Sequence, residues 1–410
     1  MALACRMCKS RRLSRFLDLG SMPPADSFLR PDQLGEPETY YPLSVHLCEE
    51  CGLSQLGHVV SPEVLYRHDY PYEASITATG QRHWAEFAES VAARFSAGAD
   101  RFAVDIGSNV GVLLGEFQKH GFRILGIDPA TNIVRIAERR GIETLDELFS
   151  PDVARRVAAT KGRAGVVTGT NVFAHVDDLD RFMEGIDQLL DEEGVLVIEA
   201  PYFVNLLEAC EYDTIYHEHL SYLSVAPVAG FVARLGFELF DVIERDIHGG
   251  SIRLFIGRAG RHPVEPSVQA SIGRETAAGV RDPARLRKFA GDVAENRREL
   301  TWLVQELKHE GRRLAGIGAP AKGMTLLNYC RFGPEHLDFV TEKSTLKIGR
   351  FTPGTHVPVL PDEDLVARNV DFGLLLAWNF ADEIMGNLGE FRRKGGKFIV
   401  PIPRPAIVEG

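Results

Sequence analysis

Residues 101–114 combine a short apolar run, a glycine-containing turn and an amphipathic continuation, which predicts a strand, a loop and a helix in that order. Gly107 and Gly111 allow the loop backbone to approach a bound ligand closely, and the start of the helix directs free amide groups into the same cleft. Units of this kind build open α/β sheets, where ligands bind beyond the carboxyl ends of the strands. We therefore expect a doubly wound α/β fold around this loop.

A second apolar run, residues 122–128, ends in Asp128, 23 residues after Asp105. In a doubly wound fold this carboxylate lies where ribose hydroxyls bind, and it would accept both hydroxyl protons. The spacing Asp105-x-Gly107-x-x-x-Gly111 lacks the G-x-G-x-x-G of dinucleotide-binding proteins and resembles the opening motif of S-adenosylmethionine (SAM) methyltransferases. The alternative is a structural glycine turn that binds no ligand.

Further helices and strands alternate along the middle of the chain. The predicted elements are a helix at 77–95, a strand at 166–170, a helix at 179–190, a strand at 195–200, and a strand pair at 237–243 and 252–256 across the turn His248-Gly249-Gly250. This order matches the methyltransferase sheet, which an antiparallel hairpin closes.

Four cysteines near the N-terminus form two Cys-x-x-Cys pairs, Cys5 with Cys8 and Cys48 with Cys51. In a reducing compartment such pairs hold a metal more often than a disulfide, and four thiolates satisfy the tetrahedral preference of Zn²⁺. We expect structural zinc; a redox dithiol is the alternative, and catalytic zinc is disfavoured because four thiols leave no open position. The remaining cysteines, Cys210 and Cys330, are expected to be buried apolar residues.

Charge and hydropathy exclude several classes of protein. Lys and Arg number 46 against 57 Asp and Glu, a formal charge of −11, which disfavours binding to nucleic acid. No apolar stretch reaches the roughly 20 residues that a membrane helix needs, and the N-terminus lacks the pattern of a secretory signal. These features predict no membrane partner and a cytoplasmic location, and they leave the oligomeric state open.

Three polar clusters follow predicted strands, where a doubly wound sheet binds its ligands: residues 170–175, 212–222 and 248–253. If the middle cluster is helical, one face carries Tyr212, Tyr216, His219 and Tyr222. Such a face could offer an imidazole base between phenolic donors; a satisfied polar core is the alternative. Metal binding is disfavoured, because the motif H-E-x-x-H would need histidine where Ser221 stands.

The C-terminal third contains a linker from Arg258, a long helix at 283–308, and a second strand–glycine loop–helix unit at 313–323. Strands at 372–376 and 398–402 complete a smaller α/β layer. The glycine loop could cradle the phosphates of a nucleotide, with Lys322 as a point charge and Asn328 as a polar contact. A scaffold role and an NAD site are the alternatives.

Several motifs, in order and nearly end to end, resemble the C-methyltransferases that branch nucleotide-linked deoxysugars in antibiotic pathways. The motifs are the four N-terminal thiols, Asp105 to Gly111, Asn171 to His175, Tyr216 to Tyr222, His248 to Ser251, and Gly318 to Gly323. The resemblance implies a zinc-binding domain (1–75), a central SAM-binding domain with a class I methyltransferase sheet (76–260), and a Rossmann-like α/β domain (261–410). The last would help to bind a thymidine-diphosphate (TDP) sugar.

The resemblance also implies roles for individual residues. His219 is then the general base, with Tyr216, Glu218, His175 and Tyr70 close to the sugar. The motifs themselves assign Asp105, Gly107, Asn109, Gly111, Asp128 and Asn171 to SAM, and Tyr222, Arg253, Lys322 and Asn328 to the substrate. Family members methylate a carbon beside a keto group, commonly C3 of a 4-keto-6-deoxy sugar.

The implied chemistry is consistent with these residue types. A carbon becomes nucleophilic only after it loses a proton, and the loss is feasible where the charge spreads onto a neighbouring carbonyl oxygen. A histidine with an ordinary pKa near 6.5 is neutral and basic at cytoplasmic pH. The competing hypotheses are an RNA or protein methyltransferase that recognises its target through the zinc knuckles, and a module that binds SAM or a nucleotide sugar without turnover.

Overall fold

The computed structural model describes residues 3–67, 69–74, 78–95, 101–247 and 249–409. Thr77, at the predicted start of the first long helix, and His248, in the predicted hairpin turn, lie outside the described residues.

The N-terminal part is an antiparallel sheet followed by a short helix. Its elements are β1 (Leu13–Met22), β2 (Tyr41–Cys48), β3 (Ser54–Leu56) and α1 (Pro62–Leu65). Alternate residues of β2, namely Leu43, Val45 and Leu47, are buried, as expected for a strand that packs on one face. The loop between β1 and β2 carries residues 23–40 towards the other domains.

The middle of the chain forms a doubly wound sheet. Its elements are α2 (Ala78–Phe95), β4 (Phe102–Ile106), α3 (Val112–Lys119), β5 (Arg123–Asp128), α4 (Thr131–Arg139), β6 (Thr144–Asp146), α5 (Pro151–Lys161), β7 (Ala164–Thr170), α6 (Leu179–Leu189), β8 (Leu190–Pro201), α7 (Phe203–Glu208), β9 (Ser221–Tyr222), α8 (Val225–Ala233), β10 (Phe237–Arg245) and β11 (Ser251–Arg258). The strand order is β10-β11-β8-β7-β4-β5-β6. Strands β4 to β8 are parallel, and β10 and β11 form the antiparallel hairpin.

This sheet confirms the predicted α/β fold and its closing hairpin. The chain leaves β4 towards β5 on one side and later returns to β7 on the other, so the order reverses next to β4. Ligands of open α/β sheets bind at such a reversal. Strand β9 leaves this unit and pairs with β3 through Ser54 and Tyr222, which extends the N-terminal sheet.

The C-terminal part is a second, smaller α/β unit. Its elements are α9 (Pro266–Ala278), α10 (Pro283–His309), β12 (Leu314–Ile317), α11 (Ala321–Cys330), β13 (Val340–Thr341), β14 (Val359–Leu360), α12 (Asp364–Ala367), β15 (Phe372–Leu375), α13 (Ala381–Asn387), α14 (Gly389–Arg393), β16 (Lys397–Val400) and β17 (Ala406–Val408). The strand order is β14-β13-β12-β15-β16-β17, with β17 antiparallel to its neighbour. Its order reverses at β12, directly before the glycine loop.

The structure differs from the sequence-based prediction of a linker, and it rejects the helical alternative for the middle polar cluster. The predicted linker after Arg258 contains α9, which begins at Pro266 and buries Val268, Ser271 and Glu275. The carboxylate of Glu275 accepts hydrogen bonds from the amides of Val225 and Ala226 at the start of α8. A helix in a charged, proline-containing segment is thus stabilised by a tertiary contact that the local pattern does not reveal.

The polar cluster at 212–222 is not a helix. Tyr212–Thr214 form a single 3₁₀ turn, residues 215–220 are irregular, and the segment ends as β9. Most side chains of this segment are buried on every side, so the one-sided pattern of a surface helix does not apply. The segment runs through the junction of the three units.

One hydrophobic cluster joins the units. It contains Val45 of the N-terminal sheet, Phe203 and Tyr212 of the middle unit, and Leu300 and Leu327 of the C-terminal unit. Cys210 and Cys330 are 8% and 4% exposed, which confirms them as buried residues. No helix within the described ranges has the length and apolar character needed to cross a bilayer.

Candidate active site

A cleft with a volume of about 680 Å³ opens at the carboxyl ends of β4, β5, β7 and β8. The strand ends meet there because the sheet order reverses beside β4. The N-terminal and C-terminal units close its other walls. Residues that line the cleft lie within 62–66, 70–74, 105–113, 127–130, 148–149, 170–182, 214–219, 320–322 and 377–380, together with Asp26, Trp84 and Pro201.

The glycine loop after β4 lines the cleft. Gly107 has φ +68°, and a Cβ atom there would lie 2.3 Å from Cγ2 of Val172, so only glycine fits. Asp105 is buried and accepts a hydrogen bond of 2.6 Å from Thr168 Oγ1. Burial, together with the nearby charge of Asp128, raises the pKa of Asp105 to about 7.

Asp128, at the end of β5, lines the cleft as the sequence predicts. Its two carboxylate oxygens accept hydrogen bonds of 2.9 Å from the backbone amides of Asn109 and Ala130. These bonds hold the carboxylate in a fixed orientation at the strand end. Burial raises its pKa above the ordinary value, against the effect of both amides.

Asn109 links the glycine loop to the segment that carries the tyrosines. Its Oδ1 accepts a hydrogen bond from the amide of Ala74, and its Nδ2 donates to the carbonyl oxygen of Tyr72. Asn171 lines the cleft opposite, with φ +55° and its amide bonded to the carbonyl oxygen of Glu199.

These residues fit the adenosyl part of SAM, because buried, oriented carboxylates face a cleft beside a glycine loop. Asp128 could bind ribose hydroxyls, and Asp105 and Asn171, which line the same cleft, could bind other polar groups of the cofactor, whereas both polar atoms of the Asn109 side chain are bonded within the protein. When bound, SAM supplies an electrophilic methyl group on a sulfonium sulfur.

The imidazole ring of His219 lines the same cleft. Its Nδ1 is 2.7 Å from the carbonyl oxygen of Thr214, an acceptor only, so Nδ1 carries the hydrogen. The ring of Tyr216 packs on that of His219 with centroids 3.9 Å apart, and the ring of His175 lies at 5.1 Å. Three predicted catalytic side chains are therefore brought together.

Aromatic and acidic groups surround the histidines. Tyr66 stacks on His175, with its hydroxyl 3.4 Å from Nδ1, and Tyr70 donates a hydrogen bond of 3.1 Å to Glu218 Oε2. Burial and the neighbouring charge of Glu218 raise the pKa of Tyr70 and Tyr216 well above 10, so both phenols keep their protons. Burial, together with His219, lowers the pKa of His175 well below 6.5, so this ring is neutral.

Four residues that the sequence assigned to ligands lie elsewhere. Arg253 is 1% exposed and binds Glu199 at 2.8 Å and Ser90 at 3.1 Å, below the cleft. Asn328 donates to the carbonyl oxygens of Met324 and Pro353. Tyr222 lines a separate small cavity together with His219, and Gly111 packs against Ile142 at the start of α3.

Lys322 does line the cleft, but it also has partners within the protein. Its Nζ lies 3.8 Å from Asp213 Oδ2, 4.0 Å from the ring centroid of Trp378 and 3.4 Å from Asn379 Oδ1. A ligand phosphate would therefore share this cation with a buried carboxylate.

Sequence reasoning assigned no role to Asp26, Tyr66 or Tyr72, which all line the cleft. The two tyrosines belong to an aromatic patch with Tyr70 that could have signalled them. Asp26 follows a proline pair in a loop and carries no local signal, since only the tertiary fold brings it to the cleft.

The four N-terminal thiols form a second site. Cys5, Cys8, Cys48 and Cys51 have sulfur atoms within 4.8 Å of one another, with two pairs at 3.5 Å. Tetrahedral Zn–S bonds of about 2.3 Å place sulfurs about 3.8 Å apart, so the set fits Zn²⁺. The described structure contains no disulfide between these cysteines. This geometry agrees with structural zinc.

Comparisons with known proteins cover almost the whole chain. Family models match residues 5–66 ("Putative zinc binding domain"), 80–242 ("Methyltransferase domain") and 246–403 ("C-methyltransferase C-terminal domain"). The chain is 35% identical over 405 residues to C-methyltransferase NovU of Streptomyces niveus, covering 98% of this chain and 96% of that protein.

Solved structures also resemble this chain. Magnesium protoporphyrin IX methyltransferase (ChlM) from Synechocystis PCC 6803, with bound S-adenosylhomocysteine, is 13% identical and covers 46% of this chain and 90% of its own, with a TM-score of 0.35. An S-adenosylmethionine-dependent methyltransferase from Clostridium acetobutylicum ATCC 824 is 12% identical and covers 44% and 92%, also with a TM-score of 0.35.

The relationship to NovU spans 98% of the chain and so includes all three units. The chain accordingly belongs to the family of SAM-dependent C-methyltransferases and has an N-terminal zinc-binding domain.

Proposed function

We propose that the protein methylates C3 of a TDP-linked 4-keto-6-deoxy sugar, with His219 as the general base. The observation that carries the proposal is the hydrogen bond from His219 Nδ1 to Thr214 O, in the cleft that also contains the glycine loop. When the ring is neutral, this bond leaves the lone pair on Nε2. A base with a fixed tautomer therefore lies in the same cleft as the cofactor site.

A base is needed because the methyl acceptor is a carbon. The proton on C3 is acidic only through the neighbouring C4 carbonyl, onto whose oxygen the charge spreads when Nε2 of His219 removes the proton. Tyr216 keeps its phenolic hydrogen and lies against the imidazole, so it can donate to the developing enolate oxygen. His175 is neutral and next to the base, and it can donate from the same side.

The methyl group then passes to C3 from SAM bound at Asp128 and the glycine loop. This transfer needs only that the donor be in line with the carbanion, which is a matter of positioning. Tyr70 and Glu218 are hydrogen-bonded to each other in the cleft wall and can bind sugar hydroxyls. In this role they would hold the sugar ring inside the cleft.

The C-terminal unit supports the assignment of a nucleotide sugar. The start of α11, with Lys322, lines the cleft, and Arg181 lines it from the middle unit. Helix N-termini and cations together favour phosphate groups. A diphosphate could bind there while the sugar extends towards His219.

The test separates deprotonation from methyl transfer. Purified protein is incubated in deuterated water with a TDP-4-keto-6-deoxy sugar, once with SAM and once with S-adenosylhomocysteine. We expect methylated sugar in the first sample and deuterium at C3 in the second. His219→Asn should lose both reactions and keep its affinity for SAM, whereas the exposed His309→Asn should keep both. Absence of both reactions with every keto sugar tried would refute the proposal.

A further inference from the structure

A second carboxyl group lies beside Glu218 in the cleft wall. Asp26 belongs to the loop after β1, lines the cleft and is 9% exposed. Its carboxyl group lies within hydrogen-bonding reach of the carboxyl group of Glu218, which is 3% exposed. Two carboxyl groups can share a hydrogen bond only if one of them is protonated, because an ionised carboxylate has no donor.

The remaining contacts of Glu218 agree with a protonated pair. Tyr70 donates to Oε2, whereas Oε1 is buried and receives no hydrogen bond from a donor within the described ranges. A buried oxygen without a partner is costly, and a proton held between the two acids removes that cost.

A buried lysine lies on the far side of Asp26. Lys347 is 3% exposed, and its Nζ lies 3.3 Å from Asp26 Oδ1, 2.7 Å from the carbonyl oxygen of Ala319 and 4.8 Å from the ring centroid of Phe28. With both acids ionised, the cluster would carry a net negative charge in a buried place. One proton makes the cluster neutral, which the low dielectric of the interior favours.

The electrostatic effects at Glu218 point the same way. Burial raises the pKa of Glu218 well above 4.5, Asp26 raises it further, and Tyr70 and Lys347 oppose the rise. Within the described ranges, titratable and charged side chains that face the two acids include Lys347, Tyr66, Tyr70, Tyr72 and Tyr216.

We propose that Asp26 and Glu218 form a carboxyl pair that holds one proton, with Lys347 as the counter-ion of Asp26, and that this pair binds a hydroxyl or carbonyl oxygen of the substrate. The pair accepts and donates hydrogen bonds without presenting a net charge, so it selects an uncharged, oxygen-rich group such as a sugar ring. The assignment of a sugar as the bound group rests on the proposed function. It also gives each unit a part in the site, because Asp26 and Lys347 come from the two outer units.

The proton can be measured in the resting enzyme, without substrate. Infrared difference spectra against Glu218→Gln would identify the C=O stretch of protonated Glu218, and its pH midpoint would be followed in two variants. Asp26→Asn removes the neighbouring negative charge, so the midpoint should fall by about one pH unit or more. Lys347→Met removes the positive charge, so the midpoint should rise.

Opposite shifts of the pH midpoint in the two variants indicate an electrostatic role. If the residues were only structural, the midpoint would shift in the same direction in both variants. Asp32→Asn and Lys343→Met make the same charge changes at exposed positions and should leave the midpoint in place. Zinc content and SAM affinity report whether each variant is folded. If Lys347→Met does not fold, the downward shift in Asp26→Asn alone still tests the pair.

Absence of the C=O band at neutral pH, or an unchanged midpoint in Asp26→Asn, would overturn the proposal. Substrate binding is then measured through KM, which should rise at least tenfold in Asp26→Asn; an unchanged KM would overturn the binding role. The proposed function can fail separately: if no keto sugar reacts while both midpoints shift as expected, the pair stands and the substrate assignment falls.

Discussion

Trp378 donates its indole N–H to the buried carboxylate of Asp213 over 2.7 Å. Trp378 follows β15 in the C-terminal unit, whereas Asp213 lies in the 3₁₀ turn directly before Thr214. The carbonyl oxygen of Thr214 is the acceptor for His219 Nδ1. The C-terminal unit therefore fixes the turn that orients the proposed base.

We expect Trp378→Phe to destabilise the 3₁₀ turn that carries Asp213 while keeping the aromatic contact with Lys322. Phenylalanine keeps an aromatic ring beside Lys322 and loses the donor to Asp213, a bond to a charged group worth about 1.5 kcal/mol or more. If that energy holds the turn in place, kcat should fall about tenfold or more, with SAM affinity unchanged. The matched control is Trp302→Phe on α10, where the tryptophan is 63% exposed. Equal kcat values in the two variants would contradict the role of Trp378.

Removal of zinc should affect sugar turnover more strongly than SAM affinity. The four thiols hold the N-terminal sheet, whose loop supplies Asp26, whereas the residues assigned to SAM lie in the middle unit. Cys48→Ser, or treatment with a strong chelator, should therefore abolish sugar turnover while much of the SAM affinity remains.

The control for the zinc prediction is Cys210→Ala, which removes a buried thiol outside the cluster and should keep the metal. Metal analysis and calorimetry with SAM measure both effects. Full turnover in a zinc-free protein would show that the N-terminal sheet folds without its metal.

The sequence predicted the main fold because the relevant signals are local. The glycine loop, the strand that ends in Asp128 and the two Cys-x-x-Cys pairs depend on spacing within short segments. Gly107 illustrates the point, since its positive φ and the close approach of Val172 both require glycine. Features of this kind can be recognised without knowledge of the tertiary structure.

The same reasoning was wrong where a segment is buried on all sides. Residues 212–222 have the spacing of an amphipathic helix, yet their polar groups bond to partners far away in sequence: His217 to the carbonyl oxygen of Tyr41, Asp213 to Trp378, and Glu218 to Tyr70. Helical periodicity predicts a helix only where one face contacts water. Asp26 was missed for a related reason, because its neighbours in space are far from it in sequence.

Asp105 should make stability depend on pH in the direction opposite to most carboxylates. Its folded pKa of about 7 lies above the ordinary value near 4, so between these values the folded state binds a proton that the unfolded state does not. This contribution is fully present below pH 4 and is lost as pH rises through 7. Asp105→Asn should remove the loss, so its free energy of unfolding should fall less between pH 5 and pH 8 than that of the wild type. Identical slopes in chemical unfolding would contradict the raised pKa.

Arg253 allows a structural role to be separated from a substrate role. Its guanidinium binds Glu199 at 2.8 Å and lies 3.8 Å from the ring centroid of Phe87, while Glu199 also binds His83 at 2.5 Å. All of these side chains are buried. Removing one partner of a buried ion pair leaves an uncompensated charge, at a cost of about 3–5 kcal/mol.

We therefore expect Arg253→Met to lower the free energy of unfolding by about 3–5 kcal/mol, and the double variant with Glu199→Gln to recover part of that loss. Arg261→Met, which removes an exposed ion pair with Glu192 and Glu193, should cost less than about 1 kcal/mol. Chemical unfolding measures these differences. At temperatures where the variant is folded, KM for the nucleotide sugar should be unchanged, because Arg253 does not line the cleft. A raised KM with normal stability would restore Arg253 as a substrate ligand and would require a cleft that opens further towards β11.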